Sequence, residues 1–279
     1  MYGFHWNRNG IFALSWLKTL RKLIRINPSN GNTEILSNGL KRVWNVSFSK
    51  DEKTIAYAGM NDNDLTEVYR NEYPLKNAKR LTRSTKQITN WATAKSEVIS
   101  WKSKDGKTIE GVLHKPQNYD PNKKYPLMVV IHGGPVGVSI PEATPGRVYP
   151  MTQWLNKGAL VLRPNYRGSA GYGEEFRSSN VRNLGVGDSW DVLSGVEYLE
   201  KKGIIDGNKV AAMGWSQGGY ISAFLTTNSN KFKAISVGAG ISNWMTYYVN
   251  TDIHPFTRQY LQATPWEDEE VYKKTSPMT

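Results

Sequence analysis

Apolar and polar residues alternate over short stretches in the first ninety residues of the chain. The alternation is clear at residues 23–26, 43–49 and 54–58, and turn-forming residues such as those at 27–31 separate these stretches. A period of two residues bounded by turns predicts short antiparallel β-strands. The basic and apolar stretch at residues 11–24 is interpreted as two further strands, with a basic amphipathic surface helix as the alternative.

The predicted strands contain a faint internal repeat. Residues 24–36 resemble residues 68–82, which begin 44 residues further along the chain. A period of about 40 to 45 residues that holds about four strands is typical of one β-propeller blade. Fewer than two and a half such periods precede residue 95, whereas a closed propeller needs at least about four blades. We therefore expect residues 1–95 to form the last one or two blades of a propeller. The alternative is a small antiparallel sheet packed on a second domain.

From residue 96 onwards, continuous apolar runs replace the alternating pattern. Such runs are typical of strands buried in a parallel sheet, and a hairpin followed by alternating strands and helices is an α/β-hydrolase layout. The hairpin is predicted at residues 98–101 and 108–113, the buried strands at 127–131, 159–162, 209–213 and 234–237, and the helices at 151–156, 188–202 and 220–225. The fold class is therefore α/β, with an α/β-hydrolase domain over residues 96–279.

The positive charge of the chain does not indicate a nucleic-acid-binding protein. The net charge is +12, and residues 1–90 hold most of the excess, with 15 Lys and Arg against 7 Asp and Glu. These charges are scattered, and no nucleic-acid-binding motif accompanies them. We therefore expect a solvated basic surface and no nucleic-acid partner, with a polyanion site as the alternative.

Composition also limits the chemistry and the location. The chain has no cysteine, which excludes a disulfide scaffold, a cysteine nucleophile and a thiolate metal site. Nothing else in the sequence implies a metal or a cofactor. No apolar run approaches the roughly 18 residues of a membrane span, so a soluble protein is expected. Its compartment, cytoplasmic or secreted, and its oligomeric state stay open.

A candidate nucleophile lies between the third buried strand and the helix that follows it. Residues 214–218 read Gly-Trp-Ser-Gln-Gly and match the G-x-S-x-G pattern. In that pattern a strand turns sharply into a helix, the serine occupies the apex, and the glycines leave room around it. The sequence therefore predicts that Ser216 is a nucleophile, and an accidental Gly/Ser turn is the alternative.

Donors for an oxyanion are predicted beside this serine. His132-Gly133-Gly134-Pro135 follows directly on the apolar strand at residues 127–131. In an α/β-hydrolase, one oxyanion N–H comes from that loop and one from the residue after the nucleophile. These are the backbone N–H groups of Gly134 and Gln217, and the alternative for the loop is a plain Gly-Pro turn.

No histidine of the chain is placed as the general base. The fold orders its triad as Ser, then Asp or Glu, then His on separate loops, and only 63 residues follow Ser216. His254 lies two residues from Asp252 and beside Pro255, which favours a structural or rim histidine. His132 is expected to pack under the glycine loop. The remaining two histidines, His5 and His114, both precede the serine in the chain.

Three segments together resemble the prolyl oligopeptidase family of serine peptidases. They are residues 124–135, ending in His-Gly-Gly-Pro, residues 165–173, Asn-Tyr-Arg-Gly-Ser-Ala-Gly-Tyr-Gly, and residues 214–220, Gly-Trp-Ser-Gln-Gly-Gly-Tyr. The acylaminoacyl-peptidase and dipeptidyl-peptidase-like branch is the most similar. The resemblance implies hydrolysis of short peptides through an acyl-enzyme at Ser216, and a β-propeller before the hydrolase domain.

The resemblance also suggests a substrate pocket. Residues 242–248 are similar to the family's stretch that lines the pocket for the residue before the scissile bond, with Trp244 and Tyr247 as the candidates. A core role for these two aromatic residues is equally open.

The family's catalytic Asp and His have no matching positions in this sequence. We therefore expect an internal piece of a longer protein, which begins inside the propeller, lacks the C-terminal part of the hydrolase domain and is nearly inactive alone. A carboxylesterase is the alternative within enzymes, and a non-catalytic interaction module is the alternative outside them. Cleavage-site preference stays open.

Overall fold

The computed structural model describes residues 4–36, 39–75, 78–144 and 148–279. The chain forms two compact units. The first holds residues 1–93 with residues 140–145, and the second holds residues 94–139 with residues 146–279.

The first unit is built from two four-stranded antiparallel meanders. One contains β1 (Phe4–Asn7), β2 (Gly10–Leu17), β3 (Leu20–Ile26) and β4 (Thr33–Leu36), and the other contains β5 (Arg42–Phe48), β6 (Thr54–Met60), β7 (Glu67–Glu72) and β8 (Lys79–Arg80). A single parallel pairing of Arg21 with Arg42 joins β3 to β5. The predicted strands are confirmed, and residues 11–24 belong to two strands rather than to a helix.

The internal repeat corresponds to the third and fourth strands of each meander. Residues 24–36 fall in β3 and β4, and residues 68–82 begin in β7 and pass through β8. Inward-facing apolar residues of both meanders share one core, which contains Phe12, Leu23, Val43 and Ile55. Two repeats of four strands are the architecture of propeller blades.

A buried carboxylate fixes the end of the second meander. Glu67 accepts hydrogen bonds from the Thr82 hydroxyl and from the backbone N–H groups of Ser84 and Thr85. Burial of Glu67 opposes its ionisation, but these hydrogen bonds outweigh burial and lower the pKa of the carboxyl to about 2. Glu67 therefore stays charged and stabilises the start of the 3-10 helix at Ser84–Ile88.

The second unit is a six-stranded sheet with helices. Its strands are β9 (Lys95–Lys102), β10 (Thr108–Lys115), β11 (Tyr125–Ile131), β12 (Leu160–Asn165), β13 (Ile205–Trp215) and β14 (Ala234–Gly238), in the spatial order β14-β13-β11-β12-β10-β9. Strands β12, β11, β13 and β14 are parallel, and β9 and β10 form the antiparallel hairpin. This is an α/β-hydrolase sheet, as predicted.

Seven helices accompany the sheet in the described part of the chain. They are α1 (Met151–Asn156), α2 (Glu174–Ser178), α3 (Val186–Lys201), α4 (Gln217–Asn228), α5 (Trp244–Asn250), α6 (His254–Leu261) and α7 (Glu269–Thr275). The predicted helices at 151–156, 188–202 and 220–225 correspond to α1, α3 and α4. Among the described residues, no helix combines the length and apolar character that crossing a bilayer requires.

Two elements around the serine are longer than predicted. β13 begins at Ile205 because Ile205 pairs with Tyr125 across an irregularity in the register. This part of the strand was not predicted, because residues 206–208 are turn-forming residues. α4 begins at Gln217, so two glycines lie in its first turn. Glycine is a poor helix former, and its presence there reflects close packing, described below.

A buried ion pair attaches the loop after β12 to α3. The Arg167 guanidinium bonds Asp191, which is fully buried, at 2.7 Å and Asp105 at 2.8 Å. The backbone N–H of Arg167 donates to the same Asp191 carboxylate at 2.8 Å. These bonds fix the course of residues 166–173 at the carboxyl edge of the sheet, where Ser216 also lies.

Candidate active site

Ser216 occupies a strained turn between β13 and α4. Its backbone angles are φ 58° and ψ −123°, and the residue is exposed. A residue with a Cβ held in such a region costs about 1–3 kcal/mol and persists only where its surroundings hold it. The Ser216 N–H donates to Gly238 O at 2.9 Å, and the Ser216 carbonyl accepts the Tyr220 N–H at 2.9 Å. The turn is therefore held from the neighbouring strand on one side and by the first turn of the helix on the other.

The glycines around Ser216 lie in backbone contact with neighbouring segments. A Cβ at Gly214 would overlap the Gly218 carbonyl, a Cβ at Gly218 would overlap the Ile131 carbonyl, and a Cβ at Gly219 would overlap the Gly238 carbonyl. None of the three positions has space for a methyl group. This explains why the sequence places glycines in the first turn of α4.

The glycine loop after β11 lies directly beside the serine. A Cβ at Gly133 would come within 2.9 Å of Trp215 O, 3.2 Å of Ser216 Cβ and 3.7 Å of Ser216 Oγ. Gly134 follows with φ 141°, a conformation that favours glycine. The structure thus brings the loop and the serine together, as their positions at adjacent parallel strand ends predict.

Gln217 is the first residue of α4. The N–H groups of the first helical turn have no acceptor within the helix, and the helix dipole places partial positive charge at this end. A negatively charged oxygen beside Ser216 would therefore be stabilised here. The assignment of the Gly134 and Gln217 N–H groups to an oxyanion hole stays a prediction.

His132 lies under the glycine loop. Its Nδ1 is 2.8 Å from Gly133 O, its Nε2 is 3.0 Å from Ser169 Oγ, and its ring stacks on Tyr166 with centroids 4.4 Å apart. Burial lowers the pKa of His132 to about 4. The ring is neutral at pH 7 with both nitrogens engaged, so it supports the loop, as predicted, and does not act as a base toward Ser216.

The other three histidines have partners of their own. The His5 ring stacks on Phe48 at 4.5 Å, His114 Nδ1 lies 2.9 Å from Ser96 Oγ, and the His254 ring meets the edge of Tyr248 at 4.9 Å. Within the described residues, no histidine hydrogen-bonds the Ser216 hydroxyl.

The two aromatic residues predicted for a substrate pocket occupy different environments. Trp244 is fully buried, packs against Tyr220 with centroids 5.4 Å apart, and donates its backbone N–H to Ser276 Oγ at 2.8 Å. The burial of Trp244 favours the alternative, a core residue, and the pocket assignment of the two aromatic residues stays a prediction. Tyr247 is only partly buried and lies edge-on to Trp244 at 5.6 Å.

Two tyrosines that sequence reasoning did not select hold the start of the glycine loop. The Tyr149 hydroxyl donates to Ile131 O at 3.3 Å, and the Tyr166 hydroxyl donates to His132 O at 2.8 Å. Tyr166 lies in the Asn-Tyr-Arg-Gly segment, so a sequence signal for it was present. Tyr149 lies in an irregular loop, and no pattern in the sequence marks it.

The second unit of this chain resembles a known protein family. Residues 147–279 match the prolyl oligopeptidase family. This part of the chain belongs to that family. The predicted resemblance is therefore confirmed, and the matched residues include the serine turn and α4 to α7.

Two curated relatives of the chain are named as peptidases. The chain is 32% identical over 184 residues to dipeptidyl-peptidase 5 of Schizosaccharomyces pombe, a match that covers 65% of this chain and 27% of the relative. It is 30% identical over 238 residues to the uncharacterized peptidase YuxL of Bacillus subtilis, covering 83% of this chain and 35% of the relative. The chain thus spans about a third or less of the length of these curated relatives.

A solved structure is similar over both units. The acylaminoacyl peptidase of Pyrococcus horikoshii is 25% identical, has a TM-score of 0.84, and the match covers 99% of this chain and 43% of that one. An acylaminoacyl peptidase in complex with Z-Gly-Gly-Phe-chloromethyl ketone matches with a TM-score of 0.83 at 25% identity. The fold is therefore an α/β-hydrolase preceded by strands of a β-propeller.

Proposed function

We propose that this chain carries the nucleophile and the oxyanion donors of a serine peptidase that hydrolyses short peptides through an acyl-enzyme at Ser216. Residues 96–279 are the catalytic domain in this proposal, and residues 1–95 are terminal propeller blades that restrict substrate size. The observation that carries it is the exposed Ser216 at φ 58°, with Gly133 packed against its side chain.

The reaction runs in two steps. The Ser216 Oγ adds to the carbonyl carbon of the scissile bond while a base takes its proton, and the C–N bond then breaks as the amine receives that proton. Water next attacks the ester and releases the acid. In both steps the carbonyl oxygen becomes an oxyanion, which accepts hydrogen bonds from the N–H groups of Gly134 and Gln217. Loss of one such donor typically removes about 2.7–4 kcal/mol of transition-state stabilisation.

The base and its orienting carboxylate come from outside the described residues in this proposal. His132 is committed to its loop and has a pKa of about 4, and His254 packs on Tyr248. We therefore expect very slow turnover by the 279-residue chain alone and normal turnover by a longer protein that supplies an Asp and a His.

Peptides are favoured over simple esters as substrates. The relatives carry the names dipeptidyl-peptidase and acylaminoacyl peptidase, and one related structure holds a peptide chloromethyl ketone. Tyr247, which is only partly buried, is the more exposed candidate to contact the residue before the scissile bond. A carboxylesterase shares the serine turn and the oxyanion loop, so matched amide and ester substrates are needed to separate the two activities.

A fluorophosphonate probe and peptidyl nitroanilides test the proposal. We expect labelling at Ser216, none in a Ser216→Ala variant, and amide hydrolysis by the longer protein that the same substitution abolishes. Ester hydrolysis without amide hydrolysis would assign an esterase instead. If neither the 279-residue chain nor the longer protein is labelled, the favoured function is a non-catalytic interaction module. Fast turnover by the 279-residue chain that is lost in His254→Ala would refute an external base.

A further inference from the structure

Both halves of the proposed oxyanion hole leave the sheet at the same place. Strands β11 and β13 are parallel neighbours, and their last pairing joins Ile131 to Gly214. Directly after this pair, one strand continues into the glycine loop that contains Gly134, and the other continues through Trp215 into Ser216. The distance between the two donors therefore depends on how firmly the two strand ends are held together.

A tyrosine hydroxyl lies at this junction. Tyr149 Oη is 3.3 Å from Ile131 O, to which it donates. The hydroxyl thus contacts the final residue of β11, directly before the glycine loop. Its bond to Ile131 satisfies a carbonyl in a fully buried residue at the end of the ladder.

The Tyr149 ring is held by other parts of the catalytic domain. It packs on a buried apolar cluster that includes Met128, Val130 and Leu155. The Tyr149 carbonyl also accepts the Met151 N–H at 2.8 Å, where α1 begins. Neither support depends on the hydroxyl, so a phenylalanine would keep the ring in place and remove only the bond to Ile131 O.

We propose that Tyr149 is a positioning residue that sets the spacing of the two oxyanion donors by holding the end of β11, from which the glycine loop leaves the sheet. The inference rests on the proposed function. Tyr149 touches neither substrate nor Ser216 in this role and acts through the backbone of Ile131. Since the donors must meet the oxyanion at about 2.7–3.1 Å, small changes in their spacing weaken transition-state binding more than substrate binding.

The test compares Tyr149→Phe with a matched tyrosine on the same strand. Tyr125 begins β11, and its hydroxyl accepts the Asp120 N–H at 2.7 Å, at the opposite end from Ile131. Both substitutions remove one hydroxyl-to-backbone hydrogen bond. In the active protein we expect Tyr149→Phe to lower kcat about twofold to tenfold, the usual effect of one neutral hydrogen bond, with KM unchanged. We expect Tyr125→Phe to leave kcat unchanged.

A peptidyl aldehyde supplies a readout that a merely structural role would not change. The aldehyde forms a hemiacetal with Ser216 that places an oxygen in the oxyanion site, so its inhibition constant is expected to rise in parallel with the loss of kcat/KM in Tyr149→Phe. Equal behaviour of Tyr149→Phe and Tyr125→Phe, or a rise in KM alone, would overturn the inference. Activity that survives Ser216→Ala would instead overturn the proposed function.

A fluorinated tyrosine at position 149 covers the case in which the phenylalanine variant does not fold. It keeps ring and hydroxyl, but its phenol ionises nearer neutral pH, and a phenolate no longer donates to Ile131 O. We expect kcat to fall reversibly as that phenol ionises, in a pH range where the natural protein shows no such fall. A pH profile identical to that of the natural protein refutes the role of the hydroxyl.

Discussion

The strain at Ser216 predicts an inverted order of stability between two substitutions. At ordinary positions, glycine is less stable than alanine, because glycine loses more backbone freedom on folding. Ser216 lies at φ 58° and ψ −123°, where every residue with a Cβ is strained. We therefore expect Ser216→Gly to be more stable than Ser216→Ala, although neither variant has the hydroxyl.

The size of the difference follows from two opposing contributions. Relief of backbone strain at φ 58° favours glycine by about 1–3 kcal/mol. The entropy of the unfolded chain favours alanine by about 0.5–1 kcal/mol. The net advantage of Ser216→Gly is therefore about 0–2.5 kcal/mol. Near the midpoint, each kcal/mol shifts the melting temperature of a domain of this size by about 2–4 °C.

Calorimetry of the two variants, with the same pair at Ser229, measures this difference. Ser229 follows α4 at φ −155° and ψ 140°, an unstrained extended conformation. Its hydroxyl accepts the Lys231 N–H, and both substitutions remove that bond equally. At Ser229 we expect glycine to be less stable than alanine by about 0.5–1 kcal/mol. The same sign and size of difference at both positions would refute the strain argument.

Three further predictions concern the surroundings of the serine. Gly133→Ala places a Cβ 2.9 Å from Trp215 O, so the loop shifts. We expect fluorophosphonate labelling to slow by about tenfold or more, while the far-ultraviolet circular dichroism spectrum is unchanged. Labelling at the natural rate would contradict this prediction. Arg167→Lys keeps the charge but cannot reproduce the forked bonds to the buried Asp191. It is expected to lower the free energy of unfolding in urea by about 1.5–3 kcal/mol, the usual contribution of a hydrogen bond to a charged group; a loss below about 0.5 kcal/mol would count against the forked bonds. Burial raises the pKa of Asp188 to about 7. The folded state then retains a proton that the unfolded state releases above about pH 4. As the pH rises from about 4 to 7, Asp188 should therefore lower the free energy of unfolding by up to about 1.4 kcal/mol per pH unit. This contribution disappears in Asp188→Asn, and a constant difference between the two proteins across this range would contradict the prediction.

The sheet and the serine turn were predictable because their signals are local. Continuous apolar runs such as residues 127–131 identify buried strands wherever they lie, and the glycines at 214, 218 and 219 are required by contacts that any such turn makes. The repeat in the first unit was visible because equivalent strands recur at a fixed spacing. Helices α5, α6 and α7 were not predicted, since each is a short segment of seven or eight residues without a full apolar period.

Roles that depend on distant partners were not predictable. Trp244 belongs to the core because Tyr220 and Ser276, which are remote in the sequence, surround it, and an aromatic residue alone does not reveal whether it is covered. Tyr149 hydrogen-bonds Ile131, which lies 18 residues earlier in the chain, and no local pattern signals that contact. The sequence specifies which residues carry chemistry more clearly than which residues hold them in position.

The contacts of Gly133, Gly218 and Gly219 bear on how this protein tolerates change. At Gly218 and Gly219, segments that are far apart in the sequence meet through main-chain atoms, and Gly133 meets Trp215 O and the Ser216 side chain. Main-chain atoms are common to all amino acids, so drift in the neighbouring side chains leaves the meeting point untouched, whereas the loss of any one of these glycines does not. A library that seeks new substrates should therefore keep the three glycines fixed and vary the partly buried Tyr247 and exposed positions of α5 such as Thr246 and Val249.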